Sequence, residues 1–530
     1  MKINQSYSGI LFLLLLAGGV SCTANFEEFN KNPFQPDNSE MQYDGYITTS
    51  ALKGMQAMLM PEAEGISQYV DCLMGGSWGG YSADTNPGTG WGGRYATYNP
   101  SQAWINIPFN DPISQFYPFY LQLQSVTDDE ILLAVGDICR VGVMQRVTDT
   151  YGPIPYSQVG EAHTLNSPYD SQEEVYSQMF KELDRAIEVL SSHTSESFSA
   201  NADAIYGGDI TKWVQFANSL KLRLAMRIVY ADPVQAQQRA EEAVSDPIGV
   251  IRSNSDNARR SISKTNPWDF FMNQWGDARA SADIVTYMNG YEDPRREFYF
   301  TKSTFDEKTT GITNDYYGVR NGIEQQRYLN SKETMNCYSK MLVHASDPIY
   351  IMNAAEVAFL RAEGALRGWN MGDDAQTLYE QGITLSFEQW GTSGASEYLK
   401  DDQHTQQAYA DPLGNYSYEG TPATCTIAWE PGEEHFERNL ERIITQKWIA
   451  NYPLGVESWS EYRRTGYPRL MPVPHNMSGG VVDDREGARR MPYPDTEYTE
   501  NAENYIKAVQ MLGGQDNMAT HVWWDKKNNQ

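Results

Sequence analysis

The sequence predicts an all-α protein whose helices come in antiparallel pairs, separated by long irregular loops. Three observations carry that prediction. Apolar residues recur at alternating steps of three and four in segment after segment, as on one face of a helix. Strand-like alternation is scarce. Glycine and aromatic residues crowd into two blocks, 75–110 and 264–327, that have no helical period.

The chain opens on a leader. Lys2 precedes an unbroken apolar run over 10–20, then small residues lead to Cys22. A membrane-spanning helix needs roughly twenty apolar residues, so the run reads as the core of a secretory signal ending at 21. A cysteine at the cleavage point is where a diacylglycerol thioether forms, and Cys22 is the expected lipidated first residue. Gly19 stands where such signals usually carry leucine. No later segment has the length to span a bilayer, so the expected membrane relation is an anchor. Residues 22–40 are polar and aperiodic, a tether, and 41–530 shows no composition break that would divide it.

Along the body, 46–60 is a moderate helix. The block 75–110 holds eight glycines up to Gly93, interleaved with Trp78, Tyr81, Trp91, Tyr95, Tyr98 and Trp104. Rings this dense in a loop this long point to function. Residues 114–148 read as two helices, the second over 129–148, which Pro153 and Pro155 stop. Helices follow at 171–190, 212–230 and 233–244. The block 264–327 contains one short helix, 282–288, among Trp268, Phe270, Phe271, Trp275, Tyr287, Tyr316 and Tyr317.

The pair at 348–390 is the most regular stretch. Ile351, Ala355, Ala358, Ala362, Ala365 and Trp369 draw one stripe, with Met352, Phe359 and Leu366 on a second side. Glu363 and Arg367 lie one turn apart. Gly368 and Gly372 loosen the end, and Asp373 or Asp374 caps the next helix, which runs to Trp390. Such a pair suits an α-solenoid repeat and equally a hairpin in an ordinary helical core. A polar insertion at 391–433, helices at 434–450 and 457–464, and a Pro- and Arg-rich coil from 466 complete the chain.

Composition narrows the function. A formal charge of −28 repels phosphates and anionic lipid, so nucleic acid is a poor partner. The 34 tyrosines and 13 tryptophans, with frequent Asn and Gln, suit uncharged polar ligands. Cys72, Cys139, Cys337 and Cys425 show neither a zinc spacing nor a disulfide framework, and no cofactor motif is present. Asp483-Asp484 lacks an EF-hand pattern and reads as a solvated loop.

Several segments occur in an order that resembles a known family. They are Phe29-Asn30-Lys31-Asn32-Pro33, Tyr151-Gly-Pro-Ile-Pro-Tyr156, Trp213 with the run 218–227, Met288-Asn-Gly with Asp293-Pro-Arg295, the 351–369 helix, and Arg490-Met-Pro-Tyr-Pro494. Together they resemble the SusD/RagB outer-membrane lipoproteins of Bacteroidetes. The resemblance implies tetratricopeptide-like helix pairs as the scaffold and an irregular ligand-facing part. It further implies a surface-exposed lipoprotein of the outer membrane, a SusC-like TonB-dependent transporter as partner, and a glycan or other nutrient as cargo.

A pyranose offers an apolar face to a ring and hydroxyls to amides and guanidinium groups. Trp78, Tyr81, Trp91 and Tyr95 are the expected platform. Family members carry ligand aromatics in this early loop and again in the middle block, which adds Trp275, Tyr317 and Arg320, with Asn86 and Asn321 as polar readers. Peptide cargo on the same scaffold is the alternative. Glycoside hydrolysis needs two facing carboxylates, which spacing in sequence does not establish, and no triad or H-E-x-x-H pattern is present, so an enzyme is not expected.

Overall fold

A computed structural model describes residues 45–85, 94–160, 166–262, 265–324, 335–420 and 422–527. The signal segment, the tether and Cys22 lie outside them, as do Asn86 and Trp91.

The frame is helical: α1 (Tyr46–Leu59), α2 (Gln102–Val126), α3 (Glu130–Tyr151), α4 (Gln172–Ser192), α5 (Ile210–Arg227) and α6 (Pro233–Ser245). Then come α7 (Ala282–Gly290), α8 (Ala354–Leu366), α9 (Ala375–Gln389), α10 (Phe436–Ala450), α11 (Gly455–Thr465) and α12 (Ala502–Leu512). Local chemistry starts most of them. Asp129, Asp209, Asp232 and Asp374 each accept backbone N–H groups at an N-terminus, and Pro233 occupies the first turn of α6. Ser171 and Glu174 form a reciprocal capping box at α4.

Helices pack on their sequence neighbours from α1 through α6, and α8 packs on α9. The α8–α9 approach is close, because a Cβ at Gly382 would stand 2.7 Å from the ring of Phe359. This pairing is the tetratricopeptide-like scaffold that the resemblance implies.

Three expectations need correction. Residues 349–352 are a strand, β6 (Ile349–Met352), paired with β4 (Ala258–Arg260), and α8 begins only after Asn353, which caps it. The Ile-Tyr-Ile sequence has strand propensity, and Ile351 joined the helical stripe by coincidence of spacing. α2 starts inside the stretch read as irregular, before the expected start at 114, and continues through Pro108 and Pro112 although proline disfavours a helix interior. The C-terminal stretch read as coil contains α12, of which only Ala508 is buried.

A backbone crossing ties the early loop to the frame. Gln68–Gly76 winds as a wide, π-type helix and meets the start of α11. A Cβ at Gly455 would lie 2.1 Å from Asp71 O and 2.4 Å from Gly76 N; one at Gly75 would lie 2.4 Å from Val456 N. Gly455→Ala is therefore expected to lower stability by about 1–3 kcal/mol as backbones part. An unchanged urea midpoint would count against this crossing.

Beneath it sits a buried ion network. Arg227 of α5 reaches Glu457 and Glu461 of α11, each at 2.5 Å. Arg464 bridges Glu461 (2.7 Å) and Glu363 of α8 (2.6 Å), and Lys447 of α10 meets both α11 glutamates. Burial alone would raise the pKa of Glu457; Arg227, Lys447 and Arg223 hold it down at about 2. Glu461 is held well below the carboxylate range against the same desolvation, by Arg464, Lys447 and Arg227. Four helices are thereby fastened around one charge cluster.

Candidate ligand-binding site

The two irregular blocks meet in a short sheet. β1 (Ser82–Asp84) pairs antiparallel with β5 (Ala278–Ala280), with Ala83 opposite Arg279, and Thr85 N donates to Asp277 O at 2.9 Å. Arg94 closes the base of the early loop by an ion pair to Asp84 at 2.5 Å. On the other block, Arg279 donates to Met335 O, Ala278 O and Asn336 Oδ1, fixing the Met335–Asn336 segment against β5. Burial lowers its pKa to about 10, with Asp277 opposing.

Trp275 stands beside this sheet. It ends a π-type turn, Phe270–Trp275, and Gly276 then turns the chain at φ 70° toward β5. Its side chain is 40% exposed, and the ring of Phe270 supports it edge-on at 4.7 Å and 82°. Asn273 and Gln274 beside it are exposed, and Asn273 is steadied by Asp269 Oδ1 at 2.7 Å. A supported, solvent-facing indole with amides beside it is the arrangement that stacks on a sugar face and reads its rim.

The other expected residues fall into three groups. Trp78, Tyr81 and Tyr95 are buried. Trp78 is 6% exposed, packs 4.7 Å from Trp459 and donates to Tyr95 O; Tyr81 stacks on Trp448 and donates to its carbonyl; Tyr95 donates to Trp104 O. These rings hold the early loop onto α10 and α11, and burial withdraws them from the platform. Tyr317 and Arg320 are half-buried. Tyr317 N receives support from Ser339 Oγ, and Arg320 donates to Tyr416 O, Ser417 O and Pro472 O while lying 5.0 Å over the ring of Tyr418. Asn86 and Trp91 fall outside the described residues.

Asn321 is buried and donates to Ser281 Oγ. With Trp78, Tyr98, Asp283 and Trp459 it lines a cavity of about 30 Å³. That volume admits water-sized guests and no pyranose. Desolvation raises the pKa of Asp283, opposed by hydrogen bonds from Met471 N and Ser281 and by the charge of Arg320.

Sequence reasoning missed Phe270 as the support of Trp275, and the Asp84–Arg94 clamp. The opposite charges of Asp84 and Arg94 were visible, but their pairing follows from a strand too short to be read. Among the described residues no group of three or more His, Cys, Asp or Glu gathers to hold a metal. Nor is any described helix long and apolar enough to cross a membrane.

A helical-repeat frame presenting an aromatic-bearing loop surface belongs to the class of ligand-binding scaffold proteins. The chain belongs to the SusD-like family, whose model, described as Susd and RagB outer membrane lipoprotein, matches residues 28–525. Family members are binding proteins of the outer membrane rather than enzymes.

Solved structures agree. A SusD homologue from Bacteroides ovatus is 51% identical, with a TM-score of 0.86 over 91% of this chain and 99% of that one. Another from Bacteroides uniformis is 44% identical, with a TM-score of 0.86 over 91% and 100%. A chitin-binding SusD homologue from Flavobacterium johnsoniae is 39% identical, with a TM-score of 0.84 over 90% and 98%. No curated protein sequence matches the chain.

Proposed function

We propose that this protein captures a glycan at the cell surface and passes it uncut to a SusC-like TonB-dependent transporter. Removal of 1–21 leaves Cys22 as the lipid-bearing first residue, 22–40 as the tether and 41–530 as one folded body. The observation that carries the reading is the exposed, Phe270-supported indole of Trp275 at the junction of the two loop blocks. Tyr317, Arg320, Asn86 and Trp91 are the further candidate contacts carried over from the sequence. The 39% identical relative described as chitin-binding makes chito-oligosaccharides the first probe.

The test is calorimetric titration of the mature protein with chito-, malto-, cello-, xylo- and manno-hexaose, beside an assay for new reducing ends. Saturable binding of one series with no new ends is expected. Product formation would select a hydrolase instead. Binding of a mixed peptide digest with no glycan bound would move the cargo to peptides.

A further inference from the structure

A second pocket lies beside the Arg320–Tyr418 pair. It measures about 200 Å³ and is lined by Gln407, Tyr418, Pro422, Arg469, Leu470 and Met471 among others, none of them from β1, β5 or the Phe270–Trp275 turn. Its apolar part is Pro422, Leu470 and Met471. Its polar part is open to solvent: Gln407 and Arg469 are exposed and Tyr418 is half-buried. The Tyr418 hydroxyl, the Gln407 side-chain amide and Nη1 of Arg469 have no partner among the described residues, whereas the neighbouring Tyr409 hydroxyl is bonded to Gly318 O. Unused donors and acceptors grouped around an apolar floor are what a small polar guest requires.

The geometry also limits the guest. Arg469 is paired with Glu441 at 3.0 Å, so its charge is balanced and the pocket favours an uncharged molecule. Tyr418 is held in place by the Arg320 guanidinium, 5.0 Å from its ring centre, and by its own N–H to Tyr409 O. Drug-sized ligands occupy pockets of roughly 300 Å³ and more, so a pocket of about 200 Å³ takes one ring-sized unit.

We infer that this pocket is a second carbohydrate subsite, taking one neutral sugar ring between the Leu470–Met471 floor and the Tyr418, Gln407 and Arg469 donors. The inference rests on the glycan reading above and adds a further contact to it, next to Arg320, whose guanidinium lies over the Tyr418 ring. Two contacts on one chain would raise retention of a polymer by effective concentration.

The experiment repeats the titration with the five hexaoses on wild type, Tyr418→Phe, Gln407→Leu and Trp275→Ala. Tyr418→Phe removes a hydroxyl without a partner among the described residues and keeps the ring over Arg320, so the fold is retained. Two binding events are expected in wild type. Tyr418→Phe and Gln407→Leu should each weaken one of them roughly fivefold, the effect of one neutral hydrogen bond, and leave the Trp275-dependent event unchanged. A single event in wild type, or two events untouched by both pocket variants, overturns the subsite alone. No binding of any hexaose overturns the glycan reading and the subsite with it.

Discussion

Replacing Arg464 by alanine should destabilise the protein by about 3–5 kcal/mol, the cost of breaking a buried ion pair from one side. Its guanidinium is sealed from solvent and donates to both Glu363 and Glu461. Removal leaves those carboxylates with Arg367, Arg227 and Lys447, so the charge is under-compensated and a void opens between α8 and α11. Chemical denaturation followed by helical signal measures the loss. Arg464→Met combined with Glu363→Gln should be milder than the sum of its parts, since partners in one network do not act additively. A single-variant loss below about 1 kcal/mol would show that the network is dispensable.

Replacing Trp275 by alanine should weaken glycan binding by about 1–3 kcal/mol, which is roughly a 5- to 150-fold rise in Kd, while leaving the melting temperature nearly unchanged. The two expectations belong together. The indole is 40% exposed and its one ring contact among the described residues is the edge of Phe270, so little packing is lost. Trp78→Ala is the contrasting control, because that ring is buried against Trp459 and its removal should act on stability first. Unaltered glycan affinity in Trp275→Ala would place the site elsewhere on the loop surface.

Much of the frame was legible because helices announce themselves locally. Asp374 was legible as a helix start, one of the two neighbouring aspartates read as a cap, and the apolar period placed the helices at 129–148 and 171–190 close to their observed bounds. What misled was also local. Pro108, Pro112 and the glycine-rich lead hid the first half of α2, whose second half was read from 114 onward.

The site was legible as a region and obscure by residue. Trp78 and Trp275 look alike in sequence, each a tryptophan in an irregular stretch near glycine. The difference between them is made by distant chain: α11 brings Trp459 over Trp78, and nothing described covers Trp275 to the same degree. The strands that join the blocks are three residues each, too short to carry a periodic signal.

That clasp between β1 and β5 has an evolutionary implication. It holds two surface loops edge to edge with three pairs of residues, while α1 to α6 pack in sequence and α8 packs on α9. Loop length and composition beyond Thr85 and Arg94 can therefore drift from one lineage to another without loosening the scaffold. A single architecture can in this way be refitted to new ligands by rewriting loop positions alone.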